Sequence, residues 1–159
     1  MYVILGLALL WMLRPGNIKF IVLNTSPSLP SGLYIRSYRA PEISSLIEFA
    51  PPESACSYST QRWGEVPESA RFLKPVVAVS GDHLDATGDV LLLNGRPLGT
   101  IQNYDAEGIK LPRWRENRLL VEGEYFVFSS RIPHSFDSRY FGPIHRDEIL
   151  SVRRPLITW

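Results

Sequence analysis

The chain has 159 residues, a length that argues for one domain with a sizeable core. Its 45% hydrophobic and 21% charged residues exclude both a disordered chain and a protein with many membrane spans. A net charge of +1 gives no sign of a nucleic-acid partner, and the single cysteine, Cys56, excludes an internal disulfide and a two-cysteine metal site.

The chain opens with an uncharged apolar run of thirteen residues, MYVILGLALLWML. As a helix this run is about 20 Å long, shorter than the roughly 30 Å of a bilayer core. Pro15 and Gly16 are typical of its end. We therefore predict a hydrophobic N-terminal anchor over residues 1–17, short for a complete span. The alternatives are a buried element of a soluble domain and, less favoured because no basic residue precedes the run, a cleaved signal peptide.

The rest of the chain is predicted to be mostly β, because it contains alternating and β-branched residues and because the thirteen prolines and eleven glycines of the whole chain favour turns over long helices. Strands are predicted at 18–23, 33–37, 45–49, 72–79, 90–93 and 125–128. Asn94-Gly95 predicts a type I′ hairpin turn, since both residues tolerate a positive φ. Residues 54–70 and 103–118 are polar and lack a period, which predicts an inserted loop and a long connection.

A serine in a stiff turn is the first candidate for chemistry. Ser28 lies in the run Asn-Thr-Ser-Pro-Ser-Leu-Pro-Ser-Gly-Leu-Tyr between the first two predicted strands. The two prolines restrict the backbone and would present the hydroxyl from a rigid position. Serine and proline are also ordinary turn residues, so composition alone favours a structural turn over a nucleophile.

A lysine in an apolar strand is the second candidate. Lys74 lies in Phe-Leu-Lys-Pro-Val-Val-Ala-Val-Ser-Gly-Asp, which is apolar on both alternating faces. Desolvation would lower the pKa of this lysine from about 10.4 and make its neutral amine a usable general base. The alternative is an edge-strand lysine whose ammonium reaches water.

An acid and a base two residues apart form the third candidate. Asp137 and Arg139 would project to the same side of an extended segment and pair beneath neighbouring aromatic residues. Histidine-based nucleophilic schemes are disfavoured, because no Gly-x-Ser-x-Gly motif presents a serine. The run Asp-His-Leu-Asp at 82–85 matches no metal-site spacing, and neither a metal nor a cofactor is expected.

Taken in order, these segments resemble the bacterial type I signal peptidases, and in particular their conjugative-transfer branch of pilin-maturation peptidases. The run from Ser28 resembles that branch's Ser-x-Pro-x-Gly-Leu-Tyr, and the Lys74 segment resembles its lysine box. The run Ser-Phe-Asp-Ser-Arg-Tyr-Phe-Gly from Ser135 is similar to its Ser-x-Asp-Ser-Arg-aromatic-aromatic-Gly motif. One departure is Pro75, where an arginine commonly follows the lysine.

The resemblance implies a role for each matching residue. Ser28 corresponds to the nucleophile and Lys74 to the general base. Ser26 corresponds to a hydroxyl that helps to stabilise the oxyanion, and Ser135 to a residue that orients the lysine amine. Asp137 and Arg139 correspond to a structural pair that supports activity.

The resemblance also implies an antiparallel β-sheet catalytic domain over residues 18–159 and a membrane-bound serine endopeptidase. Its partners would be the inner-membrane lipid and an exported, pilin-like precursor cut after small residues, with the catalytic domain on the periplasmic side. In this branch some members pass the acyl group to the substrate's own amine and form a cyclic pilin. The alternative is a non-catalytic β module of a conjugation or secretion apparatus, which the Pro75 departure favours.

Overall fold

The computed structural model describes residues 20–67 and 69–159. The predicted anchor over residues 1–17 lies outside the described residues, as does the start of the strand predicted at 18–23. Within the described ranges, no helix combines the length and hydropathy required to cross a bilayer.

The described residues form eleven strands: β1 (Ile21–Asn24), β2 (Gly32–Ser37), β3 (Leu46–Phe49), β4 (Phe72–Val79), β5 (His83–Asp85), β6 (Val90–Leu93), β7 (Arg96–Thr100), β8 (Asn117–Leu119), β9 (Glu124–Val127), β10 (Ile144–His145) and β11 (Ile149–Thr158). A seven-stranded sheet has the order β1-β2-β11-β3-β4-β9-β10, and a four-stranded sheet has the order β7-β6-β5-β8. All strand pairs are antiparallel. The prediction of a mostly β, antiparallel fold is confirmed.

All six predicted strands have counterparts, and β4 and β6 have the predicted bounds. The predicted hairpin turn is confirmed, because Asn94 and Gly95 have φ angles of 51° and 76° between β6 and β7. The sequence pattern did not reveal β11, the longest strand among the described residues. Its charged residues and Pro155 interrupt the apolar alternation that marks a strand, and Arg153 is nevertheless buried.

Two short α-helices, α1 (Glu53–Trp63) and α2 (Ser138–Phe141), accompany the sheets, together with a 3-10 turn at Arg146–Glu148. The prediction that residues 54–70 form a loop is wrong over most of its length, because α1 occupies it. Ala55, Tyr58 and Ser59 are the buried residues of α1. So small an apolar face gives a weak helical period, and tertiary contacts stabilise the helix instead.

The connections between these elements place the candidate residues. β1 ends at Asn24 and leads into the turn that carries Ser28, while Lys74 lies on β4 and faces the core with Val76. Ser135 lies in the connection between β9 and α2. The core of the large sheet includes Ile47 of β3, and an aromatic cluster around Phe136 adjoins it. The fold therefore brings segments that are distant in sequence to one side of the sheet.

Candidate active site

A cleft of about 680 Å³ lies beside the start of β4. Four of the predicted residues line it, namely Ser26, Ser28, Lys74 and Ser135. The other two, Asp137 and Arg139, lie beneath these residues, and both are almost completely buried. The structure therefore brings together all six predicted site residues.

The Ser28 turn is held by the side chain of Asn24. Its amide nitrogen donates hydrogen bonds to the carbonyl oxygens of Ser26, Leu29 and Pro30 at 3.0, 3.3 and 3.1 Å. From the other side, the hydroxyl of Ser129 donates to the carbonyl oxygen of Ser28 at 2.6 Å. These bonds satisfy a buried turn that forms few backbone hydrogen bonds of its own, so the hydroxyl of Ser28 has a defined position.

The hydroxyl of Ser28 lies 3.0 Å from the hydroxyl of Ser26, within hydrogen-bond distance. The backbone N–H of Ser28 reaches the same Ser26 oxygen at 3.5 Å, which is long for a hydrogen bond. This N–H is therefore only weakly hydrogen-bonded and can donate to a stronger acceptor in the cleft. The two groups that the resemblance assigns to an oxyanion site are adjacent to the candidate nucleophile.

The amine of Lys74 is buried, with 7% of the residue exposed. It donates a hydrogen bond to the hydroxyl of Ser135 at 3.1 Å. Desolvation lowers the pKa of Lys74 from 10.5 to about 8, while the charge of Asp137 opposes this effect and that of Arg139 adds to it. The prediction of a desolvated lysine is confirmed, and the alternative of a solvated edge-strand lysine is wrong.

No direct hydrogen bond joins Lys74 to Ser28 among the described residues. Both side chains border the same cleft, and each is held by a second serine, Ser135 or Ser26. Catalytic hydrogen bonds are often long in the absence of substrate and tighten when it binds. The arrangement is thus compatible with proton transfer between the two groups.

The predicted pair of Asp137 and Arg139 forms beneath the cleft. The guanidinium donates two hydrogen bonds to the carboxylate, at 2.8 and 3.0 Å, and lies 4.7 Å from the centre of the Phe128 ring. The local conformation differs from the predicted extended segment, because Asp137 is the N-cap of α2 and its carboxylate accepts from the backbone N–H of Arg139. The predicted ion pair therefore forms, but at the start of a helix and not in an extended segment.

This ion pair connects the two halves of the site. Asp137 accepts from the backbone N–H of Ser129, whose hydroxyl holds the Ser28 turn. Arg139 donates to the carbonyl oxygen of Ser135, whose hydroxyl accepts from Lys74. One buried pair therefore fixes both the serine turn and the partner of the lysine.

Pro75 lies within β4 and does not interrupt the strand. The backbone N–H and carbonyl of Val76 bond to Ser45 and Ser44, just before β3, so the backbone groups of Pro75 point the other way. Its carbonyl oxygen accepts from the N–H of Phe128 at 3.1 Å. The departure from the family pattern therefore leaves the lysine strand intact.

Sequence reasoning missed Asn24 and Ser129 as positioning residues. A polar residue at the end of β1, just before the candidate turn, was a usable signal for Asn24. Nothing local indicates Ser129, because its contact with Ser28 spans 101 residues.

Comparisons with known proteins identify the family of the chain. The profile of the family described as signal peptidase, peptidase S26, matches residues 1–158. The chain therefore belongs to the peptidase S26 family of signal peptidases.

Within the family, the chain is similar to proteins of plasmid transfer. The plasmid transfer protein TraF of Escherichia coli is 32% identical, over 99% of this chain and 93% of that protein. The conjugal transfer protein TraF of Agrobacterium tumefaciens (strain 15955) is 30% identical, over 86% of this chain and 82% of that protein. Among solved structures, a signal peptidase I from Enterococcus faecalis V583 is 22% identical, with a TM-score of 0.43, over 73% of this chain and 98% of that one.

Proposed function

We propose that this protein is a membrane-bound serine endopeptidase that uses Ser28 as nucleophile and Lys74 as general base to process an exported precursor. The observation that carries the proposal is the desolvated amine of Lys74, which shares a cleft with the hydroxyl of Ser28. At pH 7 about one molecule in ten would hold this amine neutral, since the pKa is about 8. A lysine can therefore act here without the help of histidine.

In the proposed reaction the hydroxyl oxygen of Ser28 attacks the carbonyl carbon of the scissile bond and its proton passes to Lys74. The developing oxyanion accepts hydrogen bonds from the backbone N–H of Ser28 and from the hydroxyl of Ser26. The ammonium of Lys74 then protonates the departing amine, which leaves an acyl-enzyme on Ser28. Water would release the acyl group, and an amine of the substrate itself would instead form a cyclic product.

Free strand edges beside the cleft support an extended peptide as substrate. β1 pairs only with β2, so its other edge is open among the described residues. β4 pairs with β9 from Val76 onward, which leaves one edge of Phe72 and Leu73 without a strand partner in the described part of the chain. A peptide strand can add to such edges through main-chain hydrogen bonds.

An apolar surface supports a location at a membrane. Leu23, Leu33 and Ile157 are cross-strand neighbours on β1, β2 and β11. Leu23 and Ile157 are each 58% exposed, and Trp159 is 71% exposed. We place this surface at the periplasmic face of the inner membrane, with a conjugative pilin as the substrate.

Carbonate extraction tests the membrane anchoring. The full-length chain should stay in the membrane pellet, and its release into the soluble fraction would contradict the anchoring.

Co-expression with a candidate pilin precursor tests the reaction. Mass spectrometry should find a shortened or circular pilin with the wild type and unprocessed precursor with Ser28→Ala or Lys74→Ala. The matched control is Ser31→Ala, in the same turn, because no hydrogen bond to its hydroxyl is present among the described residues. Equal processing by Ser28→Ala, with folding checked by circular dichroism, would favour the non-catalytic module.

A further inference from the structure

A buried ion pair that plays no part in the proposed proton transfer also lines the cleft. Glu48 of β3 and Arg153 of β11 are 9% and 4% exposed. Both border the cleft together with Val22 and Leu23 of β1 and Leu73 of β4. The two charges thus lie beside the strand edges that would receive the peptide.

The hydrogen bonds of this pair are unevenly distributed over the carboxylate. Oε2 of Glu48 accepts from Nε and Nη2 of Arg153 at 2.9 and 2.6 Å and from the hydroxyl of Ser151 at 2.6 Å. No donor among the described residues reaches the second oxygen, Oε1. Oε1 keeps some accessible surface, and Glu48 is one of the residues that line the cleft. One carboxylate oxygen is therefore saturated and the other is available.

The position of Glu48 separates it from the catalytic groups. Leu73 is its cross-strand partner on β4, whereas the next residue, Lys74, is paired with Ile47. Neighbouring residues of a strand point to opposite faces, so Glu48 and Lys74 face different sides of the sheet, near the end of β4 that β9 does not pair. The substrate side chain that reaches the Glu48 carboxylate would therefore not be the one next to the scissile bond, which lies near Lys74.

We propose that Oε1 of Glu48 forms a polar subsite that selects a substrate side chain able to donate a hydrogen bond, such as threonine or serine, in preference to an aliphatic one. Arg153 neutralises the carboxylate and holds it in place, so the subsite needs no cationic residue. A hydrogen bond to a charged acceptor is stronger than a neutral one, which gives a preference of about tenfold in kcat/KM. The inference rests on the proposed peptidase function and specifies its substrate.

Valine and threonine have nearly the same shape and differ by one hydroxyl, so they isolate the hydrogen bond. The test uses quenched fluorescent peptides built on the cleavage site mapped by co-expression. The parent peptide has alanine at the four residues before the cut, and each position in turn receives valine or threonine. At one position the wild type should cleave the threonine peptide about ten times faster than the valine peptide.

Two variants test whether Glu48 is responsible for that preference. Replacing both charges, Glu48→Met with Arg153→Met, removes the ion pair without leaving a lone buried charge. This double variant should still cleave the parent peptide and should favour valine at the selected position. The milder Glu48→Gln retains a partner for Arg153 and should reduce the preference to about threefold, which provides a test if the double variant does not fold.

The outcomes separate the two proposals. Equal cleavage of valine and threonine peptides at all four positions, with the parent peptide cleaved normally, would overturn the subsite and leave the peptidase function intact. An unchanged threonine preference in a folded Glu48 variant would also overturn it. Absence of any processed pilin in the co-expression experiment with the wild type would overturn the peptidase function and the subsite with it.

Discussion

Replacing Lys74 with methionine should abolish processing and yet stabilise the folded protein. Burial lowers the pKa of this lysine from 10.5 to about 8, and each pKa unit corresponds to about 1.4 kcal/mol. Below pH 8 the buried ammonium therefore costs the folded state about 3 kcal/mol. Loss of the hydrogen bond to Ser135 offsets about 1 kcal/mol of the gain, which leaves a net stabilisation of about 2 kcal/mol.

The pH dependence of this gain follows from the two pKa values. Below pH 8 the folded and unfolded states both hold the proton, so the full cost is present. Between pH 8 and 10.5 the folded state releases the proton while the unfolded state keeps it, so wild-type stability rises with pH. The advantage of Lys74→Met should therefore be largest near pH 7 and disappear above about pH 10.5.

Thermal and urea unfolding of the full-length chain measure this effect. A gain of about 2 kcal/mol raises the Tm of a protein of this size by roughly 4–8 °C. Lys110→Met is the matched control, because Lys110 is exposed and its replacement removes no buried charge. A Lys74→Met variant no more stable than the wild type at pH 7, or a difference that does not vary with pH, would refute the reasoning.

Three further predictions concern the same site. Peptidase activity should rise with pH through about 8, as Lys74 loses its proton, and a rate that is flat from pH 6 to 9 would contradict a titrating base. Asp137→Asn should cost about 3–5 kcal/mol in urea unfolding by leaving a buried guanidinium unpaired, against less than about 1 kcal/mol for the exposed control Asp89→Asn. It should also move the activity profile to lower pH, since the Asp137 charge raises the pKa of Lys74, and an unmoved profile would contradict that coupling. Asn24→Leu removes four side-chain hydrogen bonds from the Ser28 turn and should lower kcat more than tenfold, whereas the exposed control Asn117→Leu should leave kcat unchanged; equal effects would argue against a positioning role.

Strand prediction succeeded where the apolar pattern is local and failed where it is not. β4 is apolar on both faces apart from Lys74 and contains three valines, so its eight residues were enough to identify it. In α1 only a narrow face is buried, and Tyr58 stabilises the helix through its contact with Phe136, a residue 78 positions away in the sequence. No local window contains that contact.

The candidate site shows the same division. The serine, the lysine and the acid–base pair could be picked out because each lies in a short motif and the three motifs, taken in order, resemble those of a known family. The residues that support the site from distant parts of the chain could not be identified in this way. Ser129 supports the turn of Ser28 from 101 residues away, and Glu48 meets Arg153 across 105 residues.

Short-range patterns in the amino-acid sequence were sufficient to identify the β class, the hairpin at Asn94-Gly95 and the residues of the candidate dyad, because each depends on neighbours in the chain. Only the tertiary structure decided that the amine of Lys74 is buried and that it meets Ser135, 61 residues further on. A lysine on a strand can reach water or be covered by protein, and the segments that pack over it determine which occurs. Its lowered pKa is therefore a property of the folded chain.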